Sequence, residues 1–555
     1  MTIREPLFGA AALLAALSTL PATAADLTGK DLSNPTAYIP PQCYTKTVDA
    51  AGLAHNPCYT CHVRSRRPNA INDFDLQLAY SFPAPARENR WTNLFVDRSA
   101  AVAAVPDDDI LDWVRTDNYR APDGTIRLAA ALADPPAGWD ADGDRAWNGF
   151  VPDAWFDFDD AGFDTAPDGT PTGWRAFAYD PLPGTFWPTN GSTDDVLIRL
   201  PEAYRETAEG QPDRETYVVN LAIVEALINR ADVPIAPVDE KRHGIDLDND
   251  GTLSMADKVV FRFRPTKGQT MRYAGRAGLL QDAGEAPLAA GLYPLGTEFL
   301  HTVRYIDVDD AGRIAMAPRV KEVRYMLKTR WQTYADLQEG GLAEAKERSD
   351  FPDRIALFDG DVETGISNGA GWRLQGFIED ADGALRPQTF EETVFCMGCH
   401  GGVGVTDDST FAFPRKLGAA SPRRGWWHWT QEDGLVGVPD RLRADGSPEY
   451  AFYLKENGAG DEFRGNTEVM HRFFAPDGAL KPDELDRLRS DVATLLYPSR
   501  DRALSLNKAY REIVREQSYI RGRDATILPQ ETVHRSVEAD EETGIEMPVE
   551  PWYRR

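Results

Sequence analysis

The stretch EFLHTVRYIDVDDAGRIAMAPRVKEVRYMLKTRW, residues 298–331, contains two runs of β-branched and aromatic residues on either side of the turn sequence DDAG. Such runs favour strands, and a short turn with glycine between them is typical of an antiparallel hairpin. Helical patterns flank it: one begins at Thr216, and a leucine-rich amphipathic stripe begins at Leu485. The sequence therefore predicts an irregular, loop-rich α+β fold with a strand-containing central region and a helical C-terminal domain.

Turn signals dominate the chain before this region. Between residues 118 and 200 the sequence contains DG, PPAG, PDG, PLPG and NGS, which mark turns and loops. We therefore divide the mature chain into a loop-rich N-terminal region at 25–200, a central α+β region at 201–384, and a C-terminal helical domain with a tail at 385–555.

The first 24 residues have the pattern of a signal peptide. Arg4 precedes an apolar run at 7–20, and Ala22-Thr23-Ala24 is a typical cleavage sequence. No later run of 18 apolar residues occurs, so we expect no transmembrane segment after cleavage. The predicted location is the periplasm, with the outside of the cell as the alternative.

Charge narrows the range of partners. The net charge of −28 repels nucleic acids and anionic membrane surfaces, which makes both poor partners. A basic protein partner is favoured instead. The sequence does not indicate an oligomeric state.

Four of the five cysteines lie in two Cys-x-x-Cys-His motifs, CYTCH at 58–62 and CMGCH at 396–400. Residues i, i+3 and i+4 of a helical turn share one face, so each motif presents two thiols and an imidazole together. Asn56 is predicted to cap the first turn, and Thr389 with Glu392 forms a capping-box pattern before the second. Two thiols beside an imidazole can bond to the vinyl groups of a porphyrin and ligate its iron.

Two other uses of a Cys-x-x-Cys pair fit less well. A thioredoxin-like redox pair follows a strand in a βαβ unit, which neither motif does. The paired motifs of a structural zinc site are separated by about 15–20 residues, whereas Cys396 follows Cys58 by 338 residues. Covalent haem attachment is therefore the favoured interpretation.

The CYTCH and CMGCH motifs resemble the attachment motifs of the c-type cytochromes. The resemblance implies two covalently bound haem c groups, and residues 385–525 are also similar to a class I cytochrome c domain. It further implies an exported dihaem protein that transfers electrons between redox partners. The alternative is a peroxidase-like dihaem oxidoreductase with an open distal site. The residues implied are Cys58, Cys61, Cys396 and Cys399 for the thioether bonds, and His62 and His400 as proximal iron ligands.

The second axial ligand of each iron is left open by the sequence. His301 is the candidate for the first haem, although a histidine in a buried strand is more often a structural residue. For the second haem, Met470, His471 and His428 remain alternatives. Cys43 is either a buried free thiol or an iron thiolate.

Residues 246–257, DLDNDGTLSMAD, resemble the EF-hand calcium loop. Aspartate replaces the usual glutamate at loop position 12, and the segment that follows has a strand pattern. We therefore expect a Ca²⁺ ion that braces a loop. The ligands implied are Asp246, Asp248, Asp250, Thr252 and Asp257.

Overall fold

The computed structural model describes residues 27, 29–30, 32–49, 52, 54–185, 188–418, 421–457 and 463–551. The predicted signal peptide at 1–24 lies outside the described residues. Within the described part, no helix is both long enough and apolar enough to cross a membrane.

The strands are short except in the centre of the chain. They are β1 (Thr47–Val48), β2 (Ala54–His55), β3 (Phe163–Thr165), β4 (Pro171–Ala176), β5 (Thr193–Asp194), β6 (Leu197–Arg199), β7 (Val233–Asp239), β8 (Met255–Val259), β9 (Glu298–Val308), β10 (Ile314–Lys328), β11 (Gly360–Asp361), β12 (Gly365–Ser367), β13 (Trp372–Glu379) and β14 (Leu385–Pro387).

The helices concentrate in the C-terminal part, and short 3-10 turns occur throughout. The α-helices are α1 (Ser99–Ala104), α2 (Asp107–Arg115), α3 (Arg127–Leu132), α4 (Arg214–Asn229), α5 (Glu240–His243), α6 (Gly275–Asp282), α7 (Tyr334–Asp350), α8 (Phe390–Val394), α9 (Met397–His400), α10 (Ala412–Arg415), α11 (Glu449–Glu456), α12 (Thr467–Phe473), α13 (Pro482–Ser490), α14 (Ala493–Leu496) and α15 (Arg500–Glu516).

The predicted hairpin forms the centre of the main sheet. Strands β9 and β10 pair antiparallel, and the order through the sheet is β11-β12-β13-β10-β9-β6-β4-β3, with β14 on β13 and β5 on β9. The DDAG turn is closed by a hydrogen bond from the Gly312 amide to the Asp309 carbonyl, 2.9 Å long. The α+β class predicted from the sequence is confirmed.

Both faces of the hairpin are covered. One face packs on α2 and α15, where Tyr305 and Ala317 share an apolar cluster with Ile110 and Ile513. The opposite face joins the largest apolar cluster through Leu300. Burial on both faces removes the strict alternation of polar and apolar positions, and it also encloses charged residues of these strands such as Arg304, Lys321 and Glu322.

The turn-rich segment between α3 and β3 is ordered mainly by side chains that bind backbone groups. The buried carboxylate of Asp164 accepts hydrogen bonds from the amides of Trp155, at 3.0 Å, and Asp157, at 2.9 Å. Such bonds satisfy backbone groups that have no strand partner. The loop-rich character predicted for this region is confirmed.

A buried ion pair lies on the helix-covered face of the sheet. The Arg319 guanidinium donates to the Glu379 carboxylate at 2.7 Å, and the Tyr305 hydroxyl donates to the other carboxylate oxygen at 2.7 Å. Burial raises the pKa of Glu379 to about 7, although Arg319 and Tyr305 both act to lower this pKa. The carboxylate therefore depends on Arg319 to remain charged in the core.

We predict that Arg319→Met lowers the free energy of unfolding by about 3 kcal/mol, because it leaves a buried carboxyl group without its cation. Urea unfolding of the full chain measures this change.

The matched control is Arg313→Met on the same hairpin. Arg313 is exposed and pairs with Asp309 at the turn, so its loss leaves the unfolding midpoint essentially unchanged. Equal effects of the two substitutions would contradict the burial argument.

Candidate functional site

Both Cys-x-x-Cys-His motifs open on one cavity of about 340 Å³, within the range of about 300–1,000 Å³ usual for ligand sites. All five cysteines line it, including Cys43. The remaining walls are largely apolar. Their residues include Phe177, Phe299, Val303, Leu374, Phe395 and Phe411.

The loop after the second motif packs directly on the first motif. The Val405 amide donates to the Cys61 carbonyl at 3.0 Å, and the Asn69 side chain donates to the Val403 carbonyl at 3.1 Å. At Gly404 a Cβ atom would collide with the backbone of Val63. Glycine is therefore needed where the two segments touch, and the motifs are held together although they are distant in sequence.

The first motif forms a single turn. Pro57–Thr60 is a 3-10 helix, and the amides of Cys61 and His62 both donate to the Cys58 carbonyl, at 3.2 and 2.8 Å. The predicted cap is wrong, because Asn56 makes no capping bond. Its amide nitrogen instead donates to the Thr45 carbonyl at 2.9 Å, so this side chain fixes a neighbouring segment.

The second motif follows the predicted capping box, which is confirmed at Thr389 and Glu392. Helices α8 and α9 then place Cys396, Cys399 and His400 at the cavity. Gly398, between the two cysteines, has no room for a side chain, because a Cβ atom there would collide with the carbonyl of Tyr38. A neighbouring backbone therefore packs closely against this turn.

Each motif histidine is oriented by a hydrogen bond to its Nδ1. His62 Nδ1 lies 2.8 Å from the Asp73 carboxylate, and His400 Nδ1 lies 2.9 Å from the Ser409 carbonyl. A proton on Nδ1 leaves the Nε2 lone pair available as a metal ligand, which is the arrangement common to metal-binding histidines. The sequence analysis missed Asp73, since no local pattern links it to His62.

His301 on β9 also lines the cavity. Its Nδ1 lies 2.5 Å from the Asp195 carbonyl. Burial and the nearby Arg324 cation lower the pKa of His301 to about 4. The side chain is therefore a neutral imidazole at neutral pH.

The other predicted distal ligands lie elsewhere. His428 is buried with both ring nitrogens engaged, Nδ1 at 2.9 Å from the Thr430 hydroxyl and Nε2 at 3.0 Å from Asp195. Met470 packs against a separate apolar cluster, and His471 is exposed. None of these residues lines the cavity.

The cysteines form no disulfide, and Cys396 is buried while the other four are partly buried. All five cysteines are free. Burial, followed by the neighbouring thiols of Cys61 and Cys396, raises the pKa of Cys399 to about 12. Cysteines of exported proteins usually form disulfides, so five free thiols in one cavity indicate another use.

The spacing of the thiols and imidazoles disfavours a bare metal ion. Among the described residues, no three of these cysteine and histidine ligand atoms lie within 4.8 Å of one another. A zinc site would need about four ligands at 2.0–2.3 Å from the metal. A large planar group with two attachment points on one edge fits the donor set better, because it spans an apolar cavity between separated thiols and imidazoles.

A second acidic site lies at the predicted calcium loop. Ligand oxygens of Asp246, Asp248 and Glu240 lie within 4.8 Å of one another. Glu240, from α5, is fully buried and accepts hydrogen bonds from the amides of Leu247 and Ser254, at 2.5 and 2.8 Å.

The remaining predicted calcium ligands are placed differently. Asp250 binds the Thr252 amide and hydroxyl, at 2.7 and 2.8 Å, and Asp257 is exposed on β8. The sequence analysis missed Glu240, since it precedes the loop motif.

Sequence comparison identifies relatives of the whole chain. The sequence model of a family described as "-like lipoprotein" matches residues 27–484. A curated relative from Aquifex aeolicus (strain VF5), named "Uncharacterized lipoprotein", is 31% identical over 560 residues, which cover 90% of this chain and 87% of the relative. No solved structure matches the chain.

These findings correct the resemblance to the c-type cytochromes. The family match spans both motifs and the main sheet, and neither finding describes haem, a cytochrome or electron transfer. The cytochrome assignment is therefore wrong, including the separate class I domain at 385–525. The two functions inferred from the resemblance to the c-type cytochromes are also wrong. They are electron transfer between redox partners and a peroxidase-like dihaem oxidoreductase.

The matched region comprises more than half of the chain, and the relative covers nearly all of it. The family is one of exported proteins of the cell envelope. This chain belongs to the "-like lipoprotein" family.

Proposed function

We propose that the function of this protein is to hold two covalently attached haem groups in one cavity. The observation that supports it is the meeting of two Cys-x-x-Cys-His motifs, all of their thiols free, at a single apolar space. Attachment chemistry depends on the residues of a site and is independent of the family that supplies the scaffold.

The attachment reaction consumes only the cysteine thiol and the vinyl group of the porphyrin. A cysteine S–H adds across a vinyl C=C bond, the sulfur bonds to one carbon, and the hydrogen passes to the other. Cys58 and Cys61 would hold one group, and Cys396 and Cys399 the other. A bound haem would supply an iron centre, and the chain would supply the ligands.

The residues behind the histidines have a positioning role. Asp73 and the Ser409 carbonyl hold the Nδ1 protons of His62 and His400, which directs each Nε2 away from these partners. A carboxylate partner makes an imidazole a stronger donor than a carbonyl partner does. The two iron sites would therefore differ, and His301 is the further imidazole within the same cavity.

Within the cell envelope, we propose that the protein lies in the periplasm. The signal-peptide pattern at the N-terminus directs export of the chain. Thioether bonds on an exported chain form after translocation. The net charge of −28 favours a positively charged protein partner, which it would attract in a salt-dependent way.

We predict that replacing both thiols of one motif removes one haem and leaves the other. Intact-mass measurement of denatured mature protein is expected to show the polypeptide plus two haem masses for the wild type. Cys58→Ala/Cys61→Ala and Cys396→Ala/Cys399→Ala are each expected to show one. Because the mass is read on denatured chains, a loss of stability does not obscure the result.

Cys43→Ala is the matched control, since Cys43 lines the same cavity outside both motifs, and it is expected to retain both haem masses. A wild-type mass equal to the bare polypeptide would overturn the proposal, as would loss of a haem in the Cys43 variant.

We further propose that the loop at 246–257 binds Ca²⁺, with Glu240 as an additional ligand. Ca²⁺ prefers several carboxylate and carbonyl oxygens. Here three carboxylates from two elements converge on one point. The ion would join α5 to the loop before β8, which gives it a bracing role.

Added Ca²⁺ is expected to stabilise the wild type by about 2.7 kcal/mol when free calcium is a hundred times the dissociation constant. Thermal unfolding with Ca²⁺ or with a chelator measures the difference. In Glu240→Gln and Asp248→Asn this calcium-dependent difference should largely disappear.

Asp257→Asn serves as the control, because Asp257 lies outside the converging group of carboxylates; most of the calcium effect should persist in it. Identical unfolding of the wild type with calcium and with chelator would rule the site out.

A further inference from the structure

One side of the cavity carries more positive charge than its carboxylates balance. Arg324 on β10 donates through Nε to the Glu322 carboxylate at 3.0 Å, and Arg523 donates to the same carboxylate oxygen at 2.7 Å. All three side chains line the cavity, and Glu322 is buried. Since one carboxylate serves two guanidinium groups, one positive charge lacks a counter-charge in this cluster.

The neighbouring charged pairs do not supply the missing negative charge. Arg464 pairs with Asp524 at 3.3 Å. Arg415 pairs with Glu449 through two bonds of 2.8 and 2.9 Å. Each of these cavity-lining arginines has its own carboxylate. A further carboxyl group of the cavity, Asp194, accepts a hydrogen bond from the Tyr179 hydroxyl, and burial raises its pKa to about 8, so it is largely uncharged at neutral pH. The excess therefore stays with the Arg324–Glu322–Arg523 cluster. A buried uncompensated charge is costly unless an ion of opposite sign joins it.

Arg324 is the member of the cluster with donors to spare. Its side chain is 25% exposed, against 6% for Arg523. Among the described residues, Glu322 takes the Nε hydrogen, and no side chain or carbonyl accepts from either Nη of Arg324. A planar guanidinium fork with free Nη groups matches the two oxygens of a carboxylate or oxyanion.

A second donor without a partner belongs to a residue that lines the same cavity. Tyr510, on α15, contributes to the cavity wall, and its buried hydroxyl has no hydrogen-bond partner within the described structure. Burial, with Glu322 among the neighbouring groups, raises its pKa well above the ordinary value, so it keeps its proton. An unsatisfied buried hydroxyl costs about 1–3 kcal/mol, which a bound acceptor would relieve.

We propose that Arg324 and Tyr510 form a binding site for one small carboxylate or oxyanion at this side of the cavity. One excess charge matches a monoanion, and the guanidinium fork matches two coplanar oxygens. With a free anion as occupant the site is independent of the cofactor proposal, and with a porphyrin side arm as occupant it rests on that proposal. Two sources share this chemistry: a free anion, or a carboxylate side arm of an attached porphyrin.

Isothermal titration of the purified full chain with sodium formate, in chloride buffer, tests the site. If a free anion is the occupant, formate should bind one to one and saturably. Arg324→Gln should weaken binding by about tenfold or more, since it removes a charge-assisted contact. Tyr510→Phe should weaken it by a few-fold. Arg313→Gln, at the exposed end of the same hairpin, should leave it unchanged.

If a porphyrin carboxylate is the occupant, the wild type should not bind formate. Arg324→Gln should then shift the porphyrin absorption maximum, and Arg313→Gln should not. Formate binding that survives both Arg324→Gln and Tyr510→Phe would overturn the proposal, as would absence of both formate binding and a spectral shift. The intact mass separately reports whether a porphyrin is attached, so the two proposals fail by different measurements.

Discussion

The packing of the segment after the second motif on the first motif is the constraint on which the site depends. The hydrogen bond from Val405 to Cys61 and the absence of a side chain at Gly404 bring together residues that are far apart in sequence. The β9–β10 hairpin supplies the opposite wall, because the face that packs on α2 and α15 at Tyr305 also lines the cavity with His301 and Arg324. Without either contact, two cysteine motifs would lie on separate surfaces and share no space.

The two sides of the cavity differ in the hydrogen-bond partners and charges around their motif histidines. On the side of the first motif, the nearest acidic group to a motif histidine is Asp73, bonded to His62. On the side of the second motif, His400 is bonded to a neutral carbonyl, and burial, with a smaller effect of the Arg324 charge, lowers the pKa of His400. Imidazoles with such different partners differ in their strength as donors to a metal. Two identical pentapeptide patterns are therefore placed in two distinct electrostatic environments.

The sequence predicted elements with strong local patterns: the central hairpin, α4 and the Thr389 capping box. It did not predict contacts that depend on tertiary structure. Asp73, Glu240 and Arg324 come near their partners only through folding, and no spacing rule anticipates them. The cap predicted at Asn56 failed for the same reason, since a tertiary contact with Thr45 takes the side chain. Assigning a protein family from ten motif residues failed because such motifs describe a site, whereas the family match extends over residues 27–484.

The proximity of the two motifs is tested most directly by thiol cross-linking of Cys61 to Cys399. A variant with Cys43, Cys58 and Cys396 replaced by alanine retains these two cysteines alone and cannot hold a porphyrin by paired thioethers. Treated at low protein concentration with a short bifunctional thiol reagent and then digested, it should yield one intramolecular link between the peptides that contain Cys61 and Cys399. Peptides modified singly, or linked only between chains, would show that the motifs do not share a cavity.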